Sequence, residues 1–233
     1  MPLRHIHRFR GGSAALWEIC EENSFFEKQL LLSEEEQATY RSLPFGKRPP
    51  ERKRRTQWLA ARHVLQLLDG SEPRRSLLHR PSGQPFFAHG KGYCSLSHSG
   101  KYAAAATASM PVGIDIQKTE DRILRLSAKF ITPEERLRWE GHPRQREIFT
   151  LYWTAKEALF KAAGLQGMDF KRDLRIRLPE FRDGGQLLAE IYRPARQNLQ
   201  DKATYQLHST WNLRYRLFED CVYSIATPQN LKY

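Results

Sequence analysis

The stretch Trp153-Thr154-Ala155-Lys156-Glu157-Ala158-Leu159-Phe160-Lys161-Ala162-Ala163-Gly164 closes a helical pattern that begins near Gln145. Gly164 is a natural stop for it. Glu157 and Lys161 stand four apart and so share one helix face; taken alone they fit an ordinary surface pair worth roughly 0.2–0.5 kcal/mol. Downstream come only strand-like runs: Leu174–Leu178, Leu187–Tyr192, Thr204–Trp211, Arg214–Phe218 and Cys221–Ala226. Upstream, Tyr102–Ala108 and Val112–Gln117 read as two strands joined by a tight turn at Ser109-Met110-Pro111. Helices and strands are segregated rather than alternating, which predicts an α+β fold. The division falls near that turn and gives halves 1–109 and 110–233.

The N-terminal half follows the same logic. His5–Glu18 mixes strand-like and loop residues. Ser33-Glu34-Glu35-Glu36 is a capping box, and a short helix through Arg41 follows. Pro44, Gly46, Pro49 and Pro50 make a loop. From Glu51 to Leu68, Trp58, Leu59, Ala61, Val64, Leu65 and Leu68 form an apolar stripe at helical spacing, and Gly70 ends it. That helix starts with Arg52, Lys53, Arg54 and Arg55. Residues 80–92 read as turns with short extended pieces. Thr132-Pro133-Glu134-Glu135 is a second helix start, with Thr at the N-cap, Pro at N1 and Glu at N3.

The 233 residues are 40% hydrophobic and 27% charged, the composition of a globular protein long enough to bury a core. No apolar run approaches the roughly 20 residues a bilayer-spanning helix needs. Met1–Arg10 is basic but has no apolar stretch of signal-peptide length. A cytoplasmic protein without membrane association is expected. Cys20, Cys94 and Cys221 are far apart and form no CxxC pair, which argues against a disulfide framework or a zinc site. The net charge of +12 suits an anionic partner, whether nucleic acid, an acidic protein or a phosphorylated ligand, and also fits a chain that is basic for no specific reason.

Three pieces carry chemistry. In Gly113-Ile114-Asp115-Ile116-Gln117, strand periodicity puts Asp115 and Gln117 on one face and the isoleucines on the other. An acid in that setting needs a partner such as a cation, although a lone Asp also fits a surface edge strand. The helix supplies Glu157, with Lys156 and Lys161. Ser95-Leu96-Ser97-His98-Ser99-Gly100 groups hydroxyls and an imidazole that can bind a phosphate; as a fragment it also reads as a polar turn. A Ser/His/Asp hydrolase is disfavoured, because no GxSxG elbow surrounds Ser97 or Ser99 and adjacency of Ser and His does not make a triad. Together, Asp115, Glu157 and Gln117 offer hard oxygens, while Lys156, Lys161, His98 and the Arg52–Arg55 cluster offer cations. Mg²⁺ takes one or two carboxylates and fills its octahedron with phosphates and waters, so the set describes a magnesium site that holds a polyphosphate.

At these residues the chain resembles the 4′-phosphopantetheinyl transferase superfamily, in its longer Sfp type. The family shows a G-[IV]-D-[IVL]-[EQ] strand, a W-x-x-K-E-A-x-x-K-x-x-G helix and an upstream SHS motif, matched here by Ser97-His98-Ser99. Gly83-Gln84-Pro85 resembles its G-x-P turn, and Arg54-Arg55 through Leu59-Ala60-Ala61-Arg62 its basic N-terminal helix. The matches span residues 33–170. Gln117 stands where many members have Glu, and Gln84 where a Lys is common.

The resemblance implies a monomer of two similar α+β halves related by a pseudo-twofold, with coenzyme A in the cleft between them. It implies transfer of 4′-phosphopantetheine from coenzyme A to a serine of an apo acyl or peptidyl carrier protein. Asp115, Glu157 and Lys161 would be catalytic. Asp115 and Glu157 would hold Mg²⁺, with Gln117 weakly or through water. Arg54, Arg55, Arg62, Gly83, Pro85, Ser97, His98 and Lys156 would hold coenzyme A. The basic stretch Ile123–Phe130 fits a docking surface for an acidic carrier, and equally a helix covering the core. The competing readings are a basic nucleic-acid-binding protein, using Lys47, Arg48 and Arg52–Arg55, and an inactive relative that only binds coenzyme A.

Overall fold

The computed structural model describes residues 2–44, 49–195 and 205–229, with side chains omitted at 49–52. The chain opens with β1 (Leu3–Phe9) and β2 (Gly12–Glu18), then α1 (Asn23–Gln29), α2 (Glu34–Ser42) and α3 (Pro49–Asp69). Next come β3 (Leu77–His79), β4 (Pro85–Phe87), β5 (Tyr93–Ser99), β6 (Tyr102–Ala108) and β7 (Gly113–Lys118). The helices α4 (Arg122–Leu126), α5 (Pro133–Trp139) and α6 (Gln145–Ala163) follow. Last are β8 (Leu174–Arg177), β9 (Gly184–Pro194), β10 (Tyr205–Phe218) and β11 (Cys221–Pro228). Both anticipated capping boxes form, at Ser33/Glu36 and Thr132/Glu135. Gly164 ends α6 in the left-handed region at φ 62°.

The fold is α+β. One antiparallel sheet has the order β1-β2-β6-β5 and the other β7-β11-β10-β9-β8; β3 and β4 form a separate hairpin. Each sheet is backed by one long helix, giving helix–sheet–sheet–helix layers. The helix α3 packs Leu59, Ala60 and Val64 on Trp17, Ala103 and Ala105. The helix α6 packs Ile148, Leu151, Ala155 and Leu159 on Ala189, Leu213 and Val222. Between the sheets lie Ala14, Leu16, Ala104, Ala106, Ile114, Ile116 and Ile225. The alanine run in β6 follows from this position: alternate residues face α3 and the opposite sheet, so the strand is buried on both sides.

Three expectations need correction. The strands β6 and β7 do not pair: β6 lies between β2 and β5, while β7 pairs with β11. Ser109–Pro111 therefore carries the chain from one sheet to the other, not round a hairpin. The two runs around Trp211 and Arg214 are one 14-residue strand, because Trp211, Leu213 and Tyr215 keep a single alternation through both; Thr204 lies outside the described residues. The stretch from His5 to Glu18 lies within the β1–β2 hairpin, which starts at Leu3, and α1 is an addition that no pattern announced.

One glycine sets the distance between β7 and α6. A Cβ built on Gly113 would lie 1.9 Å from the Ala158 carbonyl oxygen and 2.7 Å from the Ala162 nitrogen. Both neighbours are helix backbone and cannot swing aside. Gly113→Ala is expected to push α6 away and cost about 3 kcal/mol, as overpacking at rigid contacts does. Urea denaturation checks this; an unchanged midpoint would show that the contact is not tight.

Candidate active site

The close approach at Gly113 delivers β7 to one turn of α6. Two residues on, Asp115 meets Lys161, whose Nζ donates to Asp115 Oδ1 at 2.7 Å and to the Ile114 carbonyl at 3.2 Å. Asp115 is 6% exposed. Its Oδ1 also accepts from Ser97 Oγ at 2.7 Å. The pair is thus held on several sides, as a buried ion pair must be if desolvation is not to outweigh attraction.

The serines of β5 join the sheets. Ser95, Ser97 and Ser99 Oγ accept from the backbone N–H groups of Ile114, Ile116 and Lys118 at 3.0, 3.2 and 2.9 Å. Both strands are edges of their sheets, so these N–H groups would otherwise be orphaned in a buried seam. Alternation puts every second residue of β5 toward β7, which is why Ser, x, Ser, x, Ser is the pattern that serves. His98, between two of these serines, points away from the seam into a cleft of about 470 Å³. Ser97→Ala would leave the buried Ile116 N–H unpaired and remove one donor from Asp115. The expected loss is roughly 1–3 kcal/mol of folding stability, read by denaturant titration; a neutral effect would mean that the seam does not depend on the hydroxyl.

Glu157, Lys161, Phe160 and Gly164 form one wall of the cleft, and Trp58, Arg62 and Gly83–Pro85 the other. A hydrogen bond spans them: Gln84 Nε2 donates to the Lys161 carbonyl at 3.0 Å. Burial, and then the Asp115 charge, push the Glu157 carboxyl up to about 7, only partly offset by Lys161. Two carboxylates share one lysine, so the site has room for a further cation. Among the described residues no three His, Cys, Asp or Glu side chains come together as a metal site. Two hard carboxylates without a third protein ligand suit Mg²⁺ completed by phosphate oxygens, and the donor set fits that ion.

The structure does not bring all the expected site residues together. Ser97, His98, Arg62, Gly83, Pro85, Glu157 and Lys161 line the cleft, and Asp115 sits behind Lys161. Gln117 is half-buried on the same strand face as Asp115, with its Nε2 donating to the Lys118 carbonyl at 3.3 Å. His98 keeps an exposed edge, yet the cleft walls, Lys161 and Arg54 hold its imidazole below the usual range. Arg54 itself is exposed and near enough to His98 to be felt electrostatically.

Lys156 and Arg55 point elsewhere. Lys156 is fully buried, donating to the Phe130 carbonyl at 2.6 Å and Glu135 Oε2 at 3.0 Å, with burial pulling its ammonium down to about 8. It ties α6 to the cap of α5. Arg55 donates to the carbonyls of Leu43 and Arg41 and lies over the Tyr40 ring. Lys47 and Arg48 lie outside the described residues, and the Arg52 side chain is not described.

Sequence reasoning missed what holds Arg62. Its guanidinium lies 3.3 Å from the Trp58 ring centroid and 3.5 Å from Glu36 Oε1. Glu36 is 2% exposed and also takes a two-pronged pair from Arg74, both at 2.7 Å. The capping box marked Glu36 as a helix-start residue; nothing in its spacing marked it as the anchor of a cleft arginine.

With this geometry in view, comparison with known proteins gives one consistent answer. Residues 111–217 match the 4′-phosphopantetheinyl transferase superfamily. A 4′-phosphopantetheinyl transferase of Bacillus subtilis is 32% identical over 100 residues, covering 42% of this chain and 43% of the relative. The transferase Sfp of Bacillus subtilis (strain 168) is 33% identical over 72 residues, 30% of this chain and 32% of its own. The transferase gsp of Aneurinibacillus migulanus is 26% identical over 110 residues, 46% and 45% of the two chains. The matched stretch spans less than half the length of each relative. The resemblance to the superfamily, and to its Sfp-type members, therefore stands. The family match contains Asp115, Gln117, Lys156, Glu157 and Lys161, and stops short of the serine motif and the basic helix.

The raised Glu157 carboxyl has a thermodynamic consequence. The folded protein holds that proton up to about pH 7, whereas an unfolded Glu releases it near 4.5. The folded state binds more protons across that window, so stability falls as pH rises from about 4.5 to 7. In metal-free protein, Glu157→Gln is expected to flatten this decline in melting temperature. A variant that keeps the wild-type slope would place the titration on another group.

Proposed function

We propose that the chain is a Mg²⁺-dependent 4′-phosphopantetheinyl transferase. In this reading it moves phosphopantetheine from coenzyme A to a serine of an apo acyl or peptidyl carrier protein and releases 3′,5′-ADP. The observation that carries it is the Asp115–Lys161 pair with Glu157 close enough to feel the Asp115 charge, in one wall of a cleft whose opposite wall carries Arg62. The halves 1–109 and 110–233 would contribute the adenine and 3′-phosphate side and the transfer side respectively.

Asp115 and Glu157 would hold Mg²⁺, which when bound neutralises charge on the pyrophosphate. Lys161 sits beside Asp115 and lines the cleft, so it would balance charge that builds on the departing 3′,5′-ADP. His98, with Arg54 and Arg62 nearby, would receive the 3′-phosphate. Gly83 and Pro85 would border the adenine, and Gln117 would touch the metal weakly or through water. Ser97 would act by holding Asp115. In the transfer, the carrier serine oxygen bonds to the phosphorus bearing the pantetheine, and the bond from that phosphorus to 3′,5′-ADP breaks. Glu157 would accept the serine proton, directly or through a bound water. Lys156 and Arg55 would act on the fold rather than on coenzyme A.

The net charge of +12 supports steering of an acidic carrier, and Ile123–Phe130 has Ile123 and Phe130 buried with Leu126 exposed. Among the described residues no helix is long and apolar enough to cross a membrane. We read the protein as a cytoplasmic monomer. A nucleic-acid-binding role is not favoured, because it leaves Asp115, Glu157 and Lys161 without work.

Intact-mass spectrometry of apo carrier protein incubated with this protein, coenzyme A and Mg²⁺ tests the proposal. One added phosphopantetheine is expected, lost with EDTA and with Asp115→Ala. Glu157→Gln should slow transfer by about 10²–10⁴-fold. Coenzyme A binding without transfer to fatty-acid, polyketide or peptidyl carriers would leave an inactive relative; neither binding nor transfer would overturn the reading.

A further inference from the structure

Away from the serine seam the two sheets leave a second groove, of about 620 Å³, between β1 and β9–β11. It shares no lining residue with the active-site cleft. In β1 alternate residues Arg4, Ile6 and Arg8 are exposed, so His5 and His7 turn inward. Their rings stack at 6.3 Å, and His5 lies 6.0 Å from the Tyr223 ring. In β10, Leu213 and Tyr215 belong to the α6 core, which leaves Arg214 and Arg216 on the face toward β1.

Four basic side chains therefore line two facing walls. The acidic lining residue is Asp183, already paired with Arg144 at 2.7 Å. The Gln186 amide oxygen, in its satisfied orientation, accepts from Arg214 at 2.9 and 3.2 Å, a neutral partner that leaves the charge uncompensated. His7 Nε2 is buried and has no hydrogen-bond partner. Burial, and then Arg216 for His5 and Arg214 for His7, hold both imidazoles below the usual range. The chemistry of these groups suits an anion.

We propose that this groove is a second ligand site, which takes the phosphate group of a small molecule between Arg214 and Arg216 on one wall and His5 and His7 on the other. Guanidinium forks match phosphate oxygens geometrically, and the groove volume is that of a small-molecule site. Tyr223 offers an aromatic flank to whatever the phosphate is attached to.

The test is histidine-selective NMR of the full chain, titrated with inorganic phosphate and with phenyl phosphate. Saturable movement of the His5 and His7 imidazole signals is expected, and Arg214→Gln/Arg216→Gln should weaken it by about tenfold or more. Both arginines are exposed, so the variant should fold; His7→Gln is the second variant and should weaken binding likewise. Tighter binding of phenyl phosphate would point to an organic phosphate, and equal binding to free phosphate. If His98 alone responds, phosphate binds only in the active-site cleft and the second site is overturned. Unmoved His5 and His7 signals, or an unchanged affinity in both variants, overturn it as well. None of these outcomes bears on transferase activity.

Discussion

Two sheet edges meet in this protein without a backbone ladder between them, and the rest of the site depends on how that junction is satisfied. An exposed edge presents a row of donors that must find partners once it is buried. Here the partners are the hydroxyls of three alternate serines on β5, each reaching one N–H of β7. A side-chain bridge of this kind sets β5 and β7 farther apart than a paired ladder would. It also fixes their register, because a slip of one residue would turn leucine and histidine to the seam in place of serine. The seam thus aims His98 into the cleft and holds Ser97 against Asp115 in one stroke.

The electrostatics follow from this placement. Asp115 is held by a hydroxyl and an ammonium, and that ammonium also faces two backbone carbonyls. Glu157, one helical turn before Lys161, gets no comparable compensation, and burial beside Asp115 makes its ionisation costly. A cation entering between these carboxylates would remove that cost. The same geometry therefore favours a proton on Glu157 when the cation is absent and a contact between its carboxylate and the cation when one is present. Conformational preference is not the cause; the cause is two like charges in a region from which water is largely withdrawn.

Much of this was legible in the chain, and the limits have physical reasons. The helix over residues 145–163 and its glycine stop could be read to the residue because local propensity and packing agree there. The motif residues Asp115, Glu157 and Lys161 come together as their types suggested. Lys156 did not, since period alone cannot tell whether a lysine next to Glu157 faces the cleft or the core; its position on α6 turns it to Glu135. The serine motif suggests Ser97 as a phosphate donor, whereas its hydroxyl is engaged twice, with Asp115 and with the Ile116 N–H. Pairing of β6 and β7 was the natural local inference. It failed because strand partners are chosen by long-range burial, and β6 needs a neighbour on each side.

The same logic explains why Glu36 escaped notice. Its local role, capping α2, satisfied every sequence rule, so nothing remained unexplained to hint at more. Yet a carboxylate that closes a capping box has oxygens to spare, and burial makes each one valuable. Glu36 uses them on Arg74 and Arg62, and Arg62 in turn lies flat on Trp58 in the cleft wall. The wall facing Lys161 is therefore held by a chain of contacts from a helix cap, through a buried carboxylate, to a stacked guanidinium. Loosening it would take removal of a charge from the interior, not merely loss of a surface contact. For this reason the cationic wall can keep its shape in the absence of any anion to hold it.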